Sequence, residues 1–180
     1  MLTEDQIDEL SQVFKIDRFS VFREYLQLVF LNELYLLKES VEIFFKGGTA
    51  IHLILNSPRF SEDLDFSTPL RKKVIAQTIS RAVRKIQTQI PEATLEQLYE
   101  TGKSIRFKLK YQTALFKYPF RIKIDFQTRE KPVFIEKTPE KTITKDLSQF
   151  LPVSQRKIIP FLKTELLKIV KETLPVLNLT

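Results

Sequence analysis

The stretch "FKGGTAIHLILNSPRFSEDLDFST", residues 44 to 67, constrains the fold more than any other part of the chain. It runs from an apolar segment through a glycine pair and a helical pattern into an alternating Asp-Leu-Asp-Phe segment. Gly47 and Gly48 permit a tight strand-to-helix corner, because glycine adopts backbone conformations closed to other residues. The amides that open the following helix are then oriented together, as binding to phosphate oxygens requires. Asp63 and Asp65 stand two apart, which on a strand places both carboxylates on one face while Leu64 and Phe66 point into the core. The glycines lack the G-x-x-x-x-G-K-[ST] layout, so a P-loop is not predicted.

The rest of the chain supplies the frame. Residues 3 to 14 read as a short helix with an acidic start, and a longer helix is predicted from Ser20 to Lys38, with Val21, Tyr25, Leu28, Val29, Leu36 and Leu37 on an apolar surface. "VEIFF", 41 to 45, reads as a buried strand, "TAIHLIL" as a helix ending before Pro58, and "DLDFS", 63 to 67, as a second strand. Thr68 followed by Pro69 is a helix-start signal. Apolar residues at threes and fours between Val74 and Ile86 predict a helix there, with Arg71, Lys72, Arg81, Arg84 and Lys85 largely on its other side. "SIRFKLKY" and "FRIKIDFQ" alternate with period two and read as half-buried strands. Residues 128 to 153 read as irregular chain, and a last helix is predicted over about 155 to 174. Residues 1–180 are expected to form one domain of mixed sheet flanked by helices, an α/β (α+β) fold.

Composition narrows the setting. The 180 residues are 43% apolar, enough for a core, and contain no cysteine, which excludes disulfides and thiolate metal sites and suits a cytoplasmic protein. The longest apolar stretch, "LQLVFLNELYLL", is broken by Asn32 and Glu33 and is too short for a bilayer span, so no membrane association is expected. A net charge of +7 favours approach to a polyanion.

Two carboxylates as close as Asp63 and Asp65 repel one another unless a cation intervenes. A hard divalent ion with oxygen ligands, Mg²⁺ or Mn²⁺, relieves that repulsion and can bridge a triphosphate. Asp125 lies on the polar face of its strand between Ile124 and Phe126. If the two strands are close, three carboxylates converge as metal ligands and catalytic groups. Other readings stay open: the pair can end a strand in a solvent-facing turn, and Asp125 can pair with Lys123 or Arg121. Thr49 can cap the helix or reach the same phosphate as the glycine amides. His52, the single histidine, is expected to be packed or exposed rather than a ligand.

The order hydrophobic–Gly–Gly, helix, Asp–hydrophobic–Asp–hydrophobic resembles the signature of the DNA polymerase beta-like nucleotidyltransferase superfamily. Within it, "FKGGTAIHLILNSPRFSEDLDF", preceded by "REYLQLVFLNELY" at 23 to 35, looks like the AbiEii/AbiGii toxins of type IV toxin–antitoxin systems, over about residues 20 to 130. The resemblance implies a nucleotidyltransferase fold with a twisted mixed sheet. It implies that Gly47, Gly48 and Thr49 hold an NTP triphosphate, that Asp63, Asp65 and Asp125 are the catalytic metal ligands, and that Arg59, Ser61 and Lys123 assist nucleotide binding. Lys46 is then either structural or turned to phosphate.

The implied reaction moves an NMP from an NTP to an acceptor hydroxyl, with tRNA the expected RNA acceptor and an antitoxin protein the expected partner. Downstream, "KTELLKIVKETL", 163 to 174, resembles the family's helical second lobe only loosely. Lys168 and Lys171 do not keep its lysine spacing, so residues 155–180 read as a short helical extension or a truncated lobe. That departure leaves an alternative: a catalytically inactive nucleotidyltransferase-fold module that binds a protein or RNA. A purely structural domain would leave the glycine and carboxylate motifs unexplained.

Overall fold

Alternation of apolar and charged residues gives the chain a sheet with one oily face, and two helices cover it. The computed structural model describes residues 1–55 and 60–128. Helix α1 (Glu4–Phe14) is capped by Thr3, whose hydroxyl accepts from the Gln6 backbone N–H while Gln6 Oε1 accepts from the Thr3 backbone N–H. Helix α2 (Arg18–Tyr35) starts at Asp17, which accepts from both the amide and the hydroxyl of Ser20. Its residues Phe22, Tyr25, Phe30, Leu31 and Leu34 are buried on successive sides, so it runs through the core rather than along the surface. Helix α3 (Gly47–Leu55) follows strand β1 (Phe44–Lys46) without a loop, and α4 (Lys72–Gln87) packs Ile75, Ile79, Ala82, Val83 and Ile86 inward.

Strands β2 (Leu64–Thr68), β3 (Thr94–Thr101), β4 (Ser104–Tyr111) and β5 (Phe120–Thr128) join β1 in a five-stranded sheet of order β1-β2-β5-β4-β3. The β2–β5 pair is parallel and the other pairs are antiparallel. The core lies between the sheet and α2 with α4. Phe19 stacks on Phe120 at 4.1 Å, Phe22 lies 5.0 Å from Phe120, and Phe66 stacks on Phe126 at 4.8 Å.

Several boundaries differ from the sequence reading, each for a local reason. Residues Lys38–Glu42 form a 3₁₀ turn, not the start of a strand, because the Ser40 hydroxyl donates to the Leu37 carbonyl at 2.6 Å and holds the turn closed. Helix α2 ends at Tyr35, which leaves Leu36 exposed. Thr68 does not cap α4. It is the buried last residue of β2, opposite Thr128, and its hydroxyl accepts from the Leu70 amide, so the helix begins three residues later than Pro69. Strand β3 went unpredicted because most of its side chains are exposed at the sheet edge, and its sequence "TLEQLYET" has no apolar alternation. The expected helix at 155 to 174, with Lys168 and Lys171, lies outside the described residues.

Candidate active site

Register decides which polar side chains meet. Asp65 on β2 is the direct partner of Asp125 on β5, and since the strands are parallel and in step, both carboxylates leave the same face. The row continues on either side: Lys46 opposite Asp65, Arg106 opposite Asp125, and Tyr99 opposite Arg106. A bulge between Gln97 and Tyr99 brings the tyrosine onto this row, where the Arg106 guanidinium lies 4.8 Å from its ring centre. One polar row thus crosses all five strands, with two acids at its middle and a cation on each flank.

The glycine corner closes on this row. Gly47 has φ +78°, a conformation that side chains other than glycine rarely adopt, and a Cβ built on it would collide with Asp65 Oδ2. Gly47 is therefore required twice, for the turn and for the approach of the backbone to the carboxylate. A Cβ on Gly48 would lie 3.3 Å from the Ser61 hydroxyl, so Ser61 sits against the second glycine. The Ser61 carbonyl accepts from Gln27 Nε2 at 3.0 Å, which ties the segment before β2 to α2. Thr49 is buried, and its hydroxyl donates to the Asp63 carbonyl at 2.5 Å, so it fixes the backbone of the first aspartate instead of pointing outward.

Charge around the acids is nearly matched. Arg106 Nε donates to Asp125 Oδ1 at 2.5 Å, Lys123 Nζ is 3.7 Å from Asp63 Oδ2, and Lys46 donates to Gln127 Oε1 at 2.8 Å. The Asp65 carboxyl is pushed up from its ordinary range, first by burial and then by the charges of Asp125 and Asp63, with Lys46 and Arg106 opposing the rise. Among the described residues, no three His, Cys, Asp or Glu side chains stand grouped as they would around a metal ion. Asp63, Asp65 and Asp125 are nevertheless oxygen donors of the type that a hard cation would take.

Of the residues predicted from sequence, Gly47, Gly48, Ser61, Asp63, Asp65, Lys123 and Asp125 lie around the start of β2 and the middle of β5, and Arg59 lies outside the described residues. His52 is packed against Phe60, ring centres 4.4 Å apart, with Nε2 3.4 Å from Glu24. Arg106 was missed. Its only signal is a place on the polar face of an alternating strand, which says nothing about the acid opposite.

The model of the family described as the nucleotidyl transferase AbiEii toxin of type IV toxin–antitoxin systems matches residues 29–164, more than half of the chain. The chain belongs to this AbiEii family. No curated protein matches it. Among solved structures, it is similar to an H. pylori protein assigned as a candidate nucleotidyltransferase (20% identity, 74% of this chain and 56% of that one, TM-score 0.51). JHP933 from Helicobacter pylori gives the same identity and TM-score, over 74% of this chain and 54% of that one. MenT4, a nucleotidyltransferase toxin from Mycobacterium tuberculosis H37Rv, matches at 18% identity over 86% of this chain and 51% of that one, with TM-score 0.45. With the family match and the two H. pylori structures, the AbiEii chain has the nucleotidyltransferase fold. It spans a little over half the length of the solved chains it matches. No helix among its described residues is long and apolar enough to cross a membrane.

Proposed function

We propose that the chain transfers a nucleoside monophosphate from an NTP to the hydroxyl of an RNA acceptor, with tRNA as the expected RNA and an antitoxin protein as its regulator. The observation that carries this reading is the Asp65–Asp125 pairing on parallel strands with the Gly47 backbone against Asp65. Asp63, Asp65 and Asp125 would hold Mg²⁺ or Mn²⁺. Held there, the ion would supply positive charge against the negative charge of the triphosphate. The amides after Gly47 and Gly48 supply donors for the triphosphate, and Lys123 and Lys46 add positive charge beside it. Ser61, next to Gly48, provides a hydroxyl for the same phosphates, and Arg59 is assigned to them as well. Thr49 acts through Asp63, whose carbonyl it holds.

The acceptor oxygen forms a new bond to the α-phosphorus, and the bond from that phosphorus to the bridging oxygen of pyrophosphate breaks. Pyrophosphate leaves with the electron pair. The acceptor proton passes to Asp125 and then to water, which requires Arg106 to share or release that carboxylate. Incubation with each labelled NTP, Mg²⁺ and total RNA tests the reading. Label is expected on RNA with the natural chain, and Asp65→Ala is expected to lower the rate by about 10³-fold, the scale of losing several kcal/mol of charge stabilisation. Transfer unchanged in Asp65→Ala would exclude this site.

One observation favours a second reading. The Arg106–Asp125 and Lys123–Asp63 pairs already neutralise two of the acids, as they would in an inactive module that binds RNA or protein. Such a module would give no labelled product with any NTP while still binding its partner.

A further inference from the structure

Beyond the acids, the open face of β4 and β5 carries a pattern that sheet stability does not explain. Lys108 is directly opposite Lys123, and Lys110 is directly opposite Arg121. Like charges facing each other across strands destabilise a sheet. These two pairs follow one another on the same face and continue the column that begins with Arg106 opposite Asp125. Steps of two residues place the rows about 7 Å apart. Among the described residues, the carboxylates that reach this ladder are Glu96, 2.6 Å from Lys110 and 3.7 Å from Lys108, and Asp63, 3.7 Å from Lys123. Cations are therefore in excess.

The ladder ends in the β4–β5 connection, where Tyr118 is 64% exposed and Lys117 lies 5.4 Å from its ring centre. At the acid end, Tyr99 is 39% exposed beneath Arg106. Rows of positive charge bounded by exposed aromatic rings are what a single nucleic-acid strand uses, phosphates along the cations and bases on the rings. An acidic protein surface would be served by the cations but would leave the tyrosines without a role.

We infer that the Lys108–Lys123 and Lys110–Arg121 ladder is the track along which the single-stranded end of the RNA acceptor lies, delivering its hydroxyl to the Asp65–Asp125 row. This rests on the proposed transfer reaction for its direction but not for its test. Binding to phosphates releases counterions, so the slope of log affinity against log salt reports the number of contacts, at about 0.7 per phosphate on a single strand.

The experiment titrates a fluorescein-labelled single-stranded RNA with the full chain over a salt series, without NTP. Lys110→Gln with Arg121→Gln is expected to reduce the slope by about 1.4. Arg84→Gln with Lys85→Gln, which removes the same charge from the exposed side of α4, is expected to leave the slope unchanged. Thermal melting should show the ladder variant close to the natural chain, since relief of the Lys110–Arg121 repulsion offsets loss of the exposed Lys110–Glu96 pair. An unchanged slope in the ladder variant, or an equal loss in both variants, overturns the inference, and so does an acidic protein ligand that alone loses affinity. Asp65→Ala should keep the full slope while losing transfer. Absence of transfer by the natural chain would defeat the proposed reaction and leave the slope comparison to decide the track.

Discussion

On the covered face of the sheet, Phe66 lies 5.1 Å from Phe45 and 4.8 Å from Phe126, and Leu64 and Ile124 are fully buried beside them. On the opposite face β2 and β5 set Asp65 against Asp125, and β4 and β5 set Lys108 against Lys123 and Lys110 against Arg121. The first face follows the rule of packing apolar neighbours, and the second repeatedly breaks the rule against pairing like charges. Both faces are written by the same alternating residues. The difference teaches that the covered face sets stability, whereas the like-charge pairs of the open face add nothing to it, which is the ground for the binding role inferred above.

Stability and activity should therefore separate by face. The largest stability effect is expected from Phe66→Ala, which empties a site that is fully buried between two other rings. Denaturant unfolding should show a loss of about 3–5 kcal/mol. A loss under 1 kcal/mol would mean that the covered face does not carry the fold.

Gly47→Ala touches both sides of the comparison and should be next. It forces a side chain into a left-handed conformation and against the Asp65 carboxylate. Unfolding should lose about 1–3 kcal/mol. NTP transfer should fall further than that loss alone would bring, because Asp65 must move. Equal retention of transfer and stability would show that the corner does not position the acid.

The smallest effect concerns α2, the helix that covers the oily face. The Asp17 carboxyl sits below its ordinary range, chiefly through the Ser20 hydroxyl, with burial opposing. A carboxyl with a lowered folded-state value stabilises above its unfolded value and stops doing so as pH falls through the folded one. Asp17→Ala should cost about 1 kcal/mol at neutral pH. The gap between the two chains should close as pH falls below about 4. A gap that stays constant down to pH 2–3 would mean that the charge plays no part in the cap.

Much of this was legible before the structure. The glycine pair, the Asp63–Asp65 spacing and the alternation in β4 and β5 all rest on short-range geometry, so they could be read from neighbouring residues. Asp125 was legible as an acid on a polar strand face and, through the resemblance, as the third carboxylate, but not as the direct partner of Asp65. Strand β3 was not legible, since an exposed edge strand needs no apolar alternation and gains its order from the partner strand. Thr68 misled because a hydroxyl before proline caps helices in isolation, while here pairing with Thr128 extended the strand through it. Thr49 was open between a helix cap and a phosphate contact, and the resemblance placed it at the triphosphate. That its hydroxyl donates to the Asp63 carbonyl is a contact no local pattern names.

What the sequence determined by itself was a list of local faces: which side chains point inward, where the chain can turn sharply, and which acids stand on one side of a strand. Residues two or three apart settle those through backbone geometry alone. Only the tertiary structure decided that Asp65 stands beside Asp125, that Arg106 holds the latter, and that lysines and arginine face one another across β4 and β5. These are matters of register between strands far apart in the chain. Register is set by the summed packing of the buried face, a quantity no single motif contains.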